Sequence, residues 1–233
     1  MVKKYKKDDT YSYALGGALV VELLKNKPSS VKCIYVSPKA NVPAVTELAR
    51  KLGAEIIESE KAFNILSPKD NCFVIGVFDK FQPCISEKRH HVVLVNPSDS
   101  GNLGTIMRDV AAFDCADLII IRPAVDPFDP RCVRASMGAI FNINFKCYDS
   151  FDEYISEFKD REVVPFMLCG SPFADKTFLP DKKYSFVFGN EATGLPDSYE
   201  KFGAVRIEQS DKVDSLNLSV AASVALYKLY TSK

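Results

Sequence analysis

The sequence predicts an α/β protein in which a small α/β module precedes a larger domain built on a mostly parallel sheet. Three observations support this prediction. The 233 residues are 47% hydrophobic and carry 30 Lys+Arg against 30 Asp+Glu, so the chain can bury a core. Strand and helix patterns alternate along it, as in sheets that helices cover on both faces. A charged stretch containing a proline separates two such patterns.

The first pattern predicts a small α/β domain over residues 1–83. Apolar residues at helical spacing alternate there with short β-branched runs. The predicted elements are a helix over 11–25, a strand over 31–36, a helix over 42–52, a strand over 55–57, a helix over 63–67 and a strand over 72–78.

Residues 84–90 are predicted to be a linker, and residues 91–233 a second domain. Ligands of parallel sheets bind beyond the carboxyl ends of the strands, so the loops that follow strands are the candidate sites. The predicted strands are 92–95, 118–122, 164–169, 186–188 and 205–207, and the predicted helices are 105–113, 131–138, 151–159 and 215–230.

Charge and composition exclude several classes of protein. A net charge of zero excludes a binder that relies on bulk positive charge. Up to Lys88 the chain has 14 basic and 10 acidic residues, and after Lys88 it has 16 basic and 20 acidic residues. The N-terminal part, with a net charge of +4, is therefore the more favourable partner for a polyanion. No leader-like or membrane-spanning run is present, and we expect a cytoplasmic protein that does not bind a membrane.

The metal-ligating residue types are scattered. Seven cysteines form no C-x-x-C pair, so the pattern indicates neither a disulfide framework nor a zinc site. His90 and His91 are adjacent and would point to opposite faces of a strand, which is poor geometry for a shared metal or a catalytic triad. We therefore expect no metal.

The first candidate loop runs from Asn96 to Arg108, after the strand over 92–95. Gly101 and Gly104 allow close approach of a ligand, and Arg108, expected in the first turn of the next helix, could bind a phosphate or carboxylate. The alternative is that Arg108 pairs with Asp109, Asp114 or another surface carboxylate. Considered without the other loops, this one favours that alternative.

The second candidate loop is Gly189-Asn-Glu-Ala-Thr-Gly-Leu-Pro196. It offers glycines, an amide and a carboxylate at a strand end, enough to line a small-molecule pocket. It matches neither G-x-G-x-x-G nor the P-loop, and it has no lysine for a triphosphate. The alternative is a tight turn in which Glu191 is solvated or caps a helix.

The third candidate loop leads from Ile207 into a helix predicted over 215–230, which Asp214 or Ser215 could cap. The helix is apolar on most sides, so we expect it in the core or in a subunit interface. Asn217 could simply satisfy a neighbouring backbone group. The functional hypothesis is that Ser215 and Asn217 face the same pocket as the second loop.

Together these loops resemble the motifs of a known family. Asn102-Leu-Gly-Thr-Ile-Met-Arg108, Gly189-Asn-Glu191 with Gly194-Leu195, and Ser215-Leu-Asn217 with Ser219-Val-Ala-Ala222 resemble the three motifs of the SpoU-type RNA 2′-O-ribose methyltransferases, the TrmH-like branch of the SPOUT superfamily. Residues 125–130 and 134–139 also resemble a segment of that family. The resemblance covers about 92–233, and the N-terminal module is similar to the family's substrate-binding domain.

The resemblance implies a SPOUT-type trefoil-knotted parallel sheet, S-adenosylmethionine as cofactor, structured ribosomal or transfer RNA as substrate, and a homodimer. It implies cofactor contacts by Gly189, Asn190, Gly194, Ile207 and Leu216, and a polar catalytic set of Arg108, Asn102, Glu191, Ser215 and Asn217. The sequence departs from the family's motifs at Glu208, Asp114 and Ser98-Asp-Ser100, which flank the expected site and remove none of its polar residues.

The reaction that the resemblance implies is transfer of a methyl group to a ribose 2′-OH, which must lose its proton. The guanidinium of arginine is already protonated at neutral pH and so is a poor proton acceptor. Arg108 is therefore expected chiefly to bind the target phosphate and ribose, oriented by Asn102 and Glu191. The alternative is a catalytically inactive RNA-binding paralogue of the same fold. A nucleotide-binding oxidoreductase is a third possibility, but the glycine fingerprint it requires is missing.

Overall fold

The structure is a computed structural model that describes residues 2–67 and 72–232. The outermost residues of the predicted domains, 1 and 233, and residues 68–71 of the predicted first domain lie outside the described residues. None of the described helices is long and apolar enough to cross a membrane.

Within the described residues the strands and helices follow one another in an alternating order. The strands are β1 (Tyr11–Leu15), β2 (Val31–Val36), β3 (Ile56–Glu58), β4 (Val74–Asp79), β5 (His90–Val95), β6 (Ala116–Ile121), β7 (Phe145–Tyr148), β8 (Arg161–Pro172), β9 (Lys183–Phe188) and β10 (Val205–Arg206). The α-helices are α1 (Gly17–Asn26), α2 (Pro43–Lys51), α3 (Glu60–Leu66), α4 (Ser100–Phe113), α5 (Pro130–Ala135), α6 (Phe151–Glu157) and α7 (Leu218–Thr231).

The chain divides into two compact units. The first unit runs from the N-terminus to Phe81 and includes Asp126–Asn142, and the second unit comprises Gln82–Val125 and the chain from Ile143 onward. The sequence placed residues 126–142 in the second domain. They group with the first unit because the rings of Phe128 and Phe141 pack against Phe78 and Phe81, with centroid distances of 5.2 to 6.4 Å.

The first unit has a four-stranded sheet in the order β1-β4-β2-β3, in which only β2 and β3 are parallel. The prediction of one helix over Tyr11–Lys25 was wrong for its first six residues, because α1 begins only at Gly17. Tyr11–Leu15 pairs with β4 instead, because without β1 the backbone N–H and C=O groups on that side of β4 would have no partner strand. Gly16, at a φ of 115°, then lets the chain turn into α1.

The second unit has a six-stranded sheet in the order β10-β8-β9-β5-β6-β7, and every pair of neighbours is parallel. The predicted parallel α/β architecture is therefore confirmed. β6 is buried at all six positions, as a central parallel strand must be. The prediction missed β7, a four-residue strand at the edge that pairs with β6.

Residues 84–90, predicted to be a linker, are held to the amino-terminal end of this sheet. The buried carboxylate of Asp117 accepts the main-chain N–H of Ser86 at 2.8 Å and pairs with Arg89 at 2.8 Å. His90 and His91 begin β5 and alternate in burial, as expected for neighbours in a strand. The His91 ring is buried and lies 2.8 Å from the Tyr154 hydroxyl.

Two helices of the second unit begin elsewhere than predicted. The helix expected from Thr105 begins at Ser100, because the Asp99 side chain caps it by accepting the main-chain N–H of Asn102 at 2.7 Å. The helix expected from Ser215 begins at Leu218, and Asn217, not Asp214 or Ser215, caps it. Gly101 and Gly104 consequently lie inside α4 and not in a loop.

Candidate functional site

The site lies where the loops after β5 and β9 leave adjacent strands. β5 and β9 are neighbours in the sheet. Beyond β5 the strand order continues with β6 and β7, and beyond β9, in the opposite direction, it continues with β8 and β10. The order of the strands therefore reverses between β5 and β9. Open parallel sheets bind ligands at such a switch point, beyond the carboxyl ends of the strands.

A cavity of about 700 Å³ occupies this place, and we call it the site cavity. Nine of the ten site residues predicted from the sequence line it: Asn102, Gly189, Asn190, Glu191, Gly194, Ile207, Ser215, Leu216 and Asn217. All three predicted loops therefore contribute to one cavity, although they are separated by up to 115 residues in the chain.

Gly189 and Gly194 shape the second loop. Asn190 and Gly194 form an antiparallel bridge, and the N–H of Gly194 donates to the carbonyl of Asn190 at 2.9 Å. A Cβ atom on Gly189 would lie 2.1 Å from the carbonyl carbon of Gly194 and 2.4 Å from the nitrogen of Leu195. Only glycine fits at position 189, because backbone atoms already occupy the space of a side chain.

Glu191 joins the second loop to the first. Its carboxylate accepts the main-chain N–H and the hydroxyl of Ser98 at 3.0 and 2.8 Å, the N–H of Asp99 at 3.2 Å and the amide of Asn102 at 3.2 Å. Partial burial opposes ionisation, but these hydrogen bonds and one from its own N–H outweigh it and lower the pKa of Glu191. Glu191 is therefore an ionised acceptor that holds the loop.

Asn102 and Asn217 join the first loop to the third. The amide of Asn217 donates to the Asn102 oxygen at 3.0 Å, while its own oxygen accepts the N–H and hydroxyl of Ser219 at 2.8 and 2.7 Å. The Ser223 hydroxyl, one turn along α7, donates to Asp109 on α4 at 2.6 Å. The start of α7 is thus aligned on α4 by side-chain hydrogen bonds.

Arg108 is the one predicted site residue that does not line the site cavity. It is the ninth residue of α4, and not in its first turn as the sequence predicted, because α4 begins earlier. It lies six positions after Asn102, which places it about 9 Å further along the helix and on a different face. Its side chain is exposed.

The sequence did not single out several further lining residues. Met167, Leu168 and Cys169 belong to the last part of β8, and Asp197, Glu200 and Arg206 follow the second loop. Leu168 is 59% exposed although it lies in a strand. The rule that ligands lie at carboxyl ends of parallel strands could have pointed to β8, since residues near its carboxyl end line the cavity.

The described residues hold no group of three or more His, Cys, Asp or Glu side chains arranged to hold a metal ion. The charged lining of the site cavity consists of three carboxylates (Glu191, Asp197 and Glu200) and the guanidinium of Arg206. The cavity is therefore more negative than positive, and it suits a ligand that carries positive charge.

The parallel sheet, with its polar cavity at the switch point, defines an α/β protein that binds a small organic ligand beyond its strand ends. Comparison with known proteins narrows this class. The model of the SpoU rRNA methylase family matches residues 89–227. The chain belongs to this family.

Individual relatives agree with the family match. The chain is 31% identical over 155 residues to the tRNA (cytidine-2′-O-)-methyltransferase TrmJ of Methanocaldococcus jannaschii, covering 61% of this chain and 67% of that one. It is 23% identical over 240 residues to the 23S rRNA (guanosine(2553)-2′-O)-methyltransferase RlmP of Bacillus subtilis, covering 97% and 91%. A crystal structure of an AdoMet-bound rRNA methyltransferase from Sinorhizobium meliloti superposes with a TM-score of 0.77 at 27% identity, covering 94% and 86%.

Proposed function

We propose that this chain transfers a methyl group from S-adenosylmethionine to a ribose 2′-OH of ribosomal or transfer RNA. The observation that carries the proposal is the convergence of the three motif loops on one cavity at the switch point of the sheet. The family match supports it, and so do relatives that are named as tRNA and rRNA 2′-O-methyltransferases.

The site cavity fits S-adenosylmethionine in size and in charge. Its volume of about 700 Å³ is in the range of small-molecule sites. Its carboxylates outnumber its single arginine, and the cofactor's sulfonium and ammonium groups outnumber its carboxylate. Backbone groups of Gly189, Ile207 and Leu216 are proposed to hold the cofactor, with Asn190 and Gly194 shaping the loop. When bound, the cofactor supplies an activated methyl group.

The chain's own residues position the second reactant. We assign to Arg108 the target phosphate and ribose, because a guanidinium binds such oxygens with a fixed geometry. Asn102, Ser215 and Asn217 line the cavity beside Glu191 and can hold the ribose hydroxyl at the approach that the in-line transfer needs. Glu191 holds the two loops together, and its lowered pKa makes it a weak base. The proton of the 2′-OH is therefore released to solvent water as the ribose oxygen accepts the methyl group and the sulfonium becomes a neutral thioether.

A homodimer is part of the proposal. Along one side of α7, Val220, Val224, Tyr227 and Tyr230 are 46%, 39%, 60% and 46% exposed. These residues recur at helical spacing, so they form one apolar stripe that a second copy of the chain could cover. The active species then has the mass of two chains by light scattering. A mass of one chain with full activity would show that the stripe stays exposed.

The trefoil knot and the cytoplasmic location also belong to the proposal. In the C-terminal region β8 and β10 approach each other closely, since a Cβ on Gly170 would lie 2.5 Å from the backbone of Val205. The family resemblance supports threading of the chain in this region. Ribosomal and transfer RNA are substrates available in the cytoplasm.

The second candidate is an RNA-binding paralogue without catalysis. One observation favours it: Arg108, the residue assigned to the substrate, lies outside the lining of the site cavity. In a catalytically active protein, RNA or a second copy of the chain must bring the reacting ribose between Arg108 and the cofactor.

The deciding experiment combines binding and transfer. Calorimetry should show binding of S-adenosylmethionine, and the ligand should raise the melting temperature. Mapping 2′-O-methyl groups in RNA from cells with and without the gene should reveal a missing modification, which labelled cofactor then reproduces with purified protein. Binding of RNA without cofactor binding would favour the paralogue, and binding of NAD would favour an oxidoreductase.

A further inference from the structure

A second cavity, of about 340 Å³, lies wholly within the first unit and shares no residue with the site cavity. We call it the Tyr5 cavity. It is formed by the stretch before β1, by β1, by the end of α3 and by the start of α5. Its volume is in the range of small-ligand sites, about 300 to 1,000 Å³.

Two tyrosine rings line the Tyr5 cavity, and the protein satisfies both hydroxyls. The Tyr13 hydroxyl donates to the carbonyl of Lys3 at 2.6 Å, and the Tyr5 hydroxyl donates to the Asp126 carboxylate. Burial is the main cause that raises the pKa of both phenols, so both remain donors at neutral pH. Tyr13 is only 2% exposed, so the aromatic surface that the cavity offers a ligand is that of the partly exposed Tyr5 ring.

A cation holds the Tyr5 ring in place. The Lys80 ammonium lies 4.9 Å from the centroid of that ring and 3.3 Å from the Asp126 carboxylate that accepts the Tyr5 hydroxyl. These contacts fix the ring by its face and by its hydroxyl. A fixed aromatic surface loses little entropy when a flat ligand stacks on it.

Among the residues that the structure describes, the charged groups lining the cavity include one more cation than carboxylate. Lys4 and Arg131 are its exposed lining cations, and Asp129 is its lining carboxylate. Asp129 accepts the main-chain N–H of Arg131 at 2.8 Å and its guanidinium at 2.8 and 3.0 Å. Lys4 has no carboxylate partner within residues 2–67 and 72–232. Around it, the first unit holds 15 basic and 11 acidic residues.

We propose that the Tyr5 cavity takes one nucleotide, with its base against the Tyr5 ring and its phosphate at Lys4. Stacking on aromatic side chains and attraction of phosphate by lysine are how proteins bind single-stranded RNA. The inference rests on the proposed function, because it takes the bound nucleotide to be an unpaired nucleotide of the substrate RNA. A free mononucleotide has the same chemistry, so the test must separate the two.

The test measures binding of a fluorescently labelled single-stranded RNA of mixed sequence to the full chain by anisotropy. Tyr5→Leu should weaken binding about fivefold or more, because stacking is lost, while Tyr5→Phe should stay within about twofold of wild type. Lys4→Glu should weaken binding more than Lys51→Glu, a matched charge reversal at an exposed lysine on α2. Because the Lys4 side chain is exposed, we expect Lys4→Glu to fold as the wild type does.

The outcomes are separable from those of the methyl-transfer proposal, because anisotropy requires neither cofactor nor turnover. Calorimetric binding of S-adenosylmethionine should be equal in all four variants. Wild-type RNA binding by Tyr5→Leu, or equal losses in Lys4→Glu and Lys51→Glu, would overturn the proposal. Adenosine and uridine monophosphates are the second probe: if Tyr5→Leu loses their binding but not that of RNA, assignment of the cavity to RNA is wrong.

Discussion

The side-chain amide of Asn217 donates a 3.0 Å hydrogen bond to the side-chain oxygen of Asn102, and so connects the cap of α7 to the first turn of α4. Asn102 in turn donates to Glu191, which makes a chain of hydrogen bonds across all three loops of the site cavity. Each side chain in this series of hydrogen bonds contributes both to stability and to the position of the loops. A substitution that keeps one of these contributions and removes the other measures the two separately.

Asn217 allows this separation. Asn217→Ala removes both the helix cap and the bond to Asn102, so we expect a loss of about 1 kcal/mol in the free energy of unfolding together with slower methyl transfer. Asn217→Asp can still accept from Ser219 but cannot donate to Asn102. It should keep most of the stability and still transfer slowly, as measured by urea unfolding and labelled cofactor. Asn64→Asp, at an exposed position of α3, is the control; wild-type transfer by Asn217→Asp would show that the bond is dispensable.

Arg108→Ala should abolish methyl transfer and leave cofactor affinity nearly unchanged, since Arg108 lies outside the lining of the site cavity. Because its side chain is exposed, the free energy of unfolding should change by no more than about 0.5 kcal/mol. Arg108→Lys should also fail, because an ammonium lacks the planar fork of donors. Arg50→Ala, at an exposed arginine of α2, serves as control, and transfer retained by Arg108→Ala would refute the assignment.

Gly189→Ala should destabilise the second loop and abolish cofactor binding. The added carbon would lie 2.1 Å from a backbone carbon of Gly194, so the backbone must move, at a cost of about 1 to 3 kcal/mol. In the matched control Gly17→Ala, the nearest atom is a flexible side-chain carbon of Val45 at 3.8 Å, and stability should hold. Calorimetry with the cofactor and thermal unfolding compare the two. Tight cofactor binding by Gly189→Ala would contradict the proposed loop geometry.

His91 should make the protein less stable in mild acid. Burial, and next the positive charge of Arg161, lower the pKa of His91 from 6.5 to about 3. The unfolded chain therefore takes up a proton below pH 6.5 that the folded chain does not. The resulting loss of unfolding free energy is at most about 1.4 kcal/mol per pH unit, from pH 6.5 down to the folded pKa.

His91→Gln isolates this effect, because glutamine does not titrate. Urea unfolding at about pH 7 and about pH 5 should show a steeper decline for wild type than for the variant. Parallel declines would mean that His91 does not cause the acid sensitivity. His90, which accepts the main-chain N–H of Tyr184, gives a control variant in His90→Gln.

The alternation of strands and helices was enough to predict the parallel α/β sheet, because a strand buried on both faces must be apolar throughout, as β6 is. Short-range signals failed where long-range pairing decided the structure. Tyr11–Leu15 has the spacing of a helix, yet it is a strand because β4 lies beside it. The start of α4 was missed because the Asp99 cap depends on local geometry that spacing does not reveal.

The sequence by itself determined the class of sheet, the three loops and the residue types that line the site cavity. The tertiary structure alone decided which of them meet, since Asn102 and Asn217 are separated by 115 residues and only strand order brings them within 3.0 Å. The tertiary structure also places Arg108 outside the lining of the site cavity. It groups residues 126–142 with the first unit, whereas the sequence predicted them in the second domain. The physical reason is that hydrogen bonding and packing act through space, whereas periodicity and motif spacing report only on neighbours along the chain.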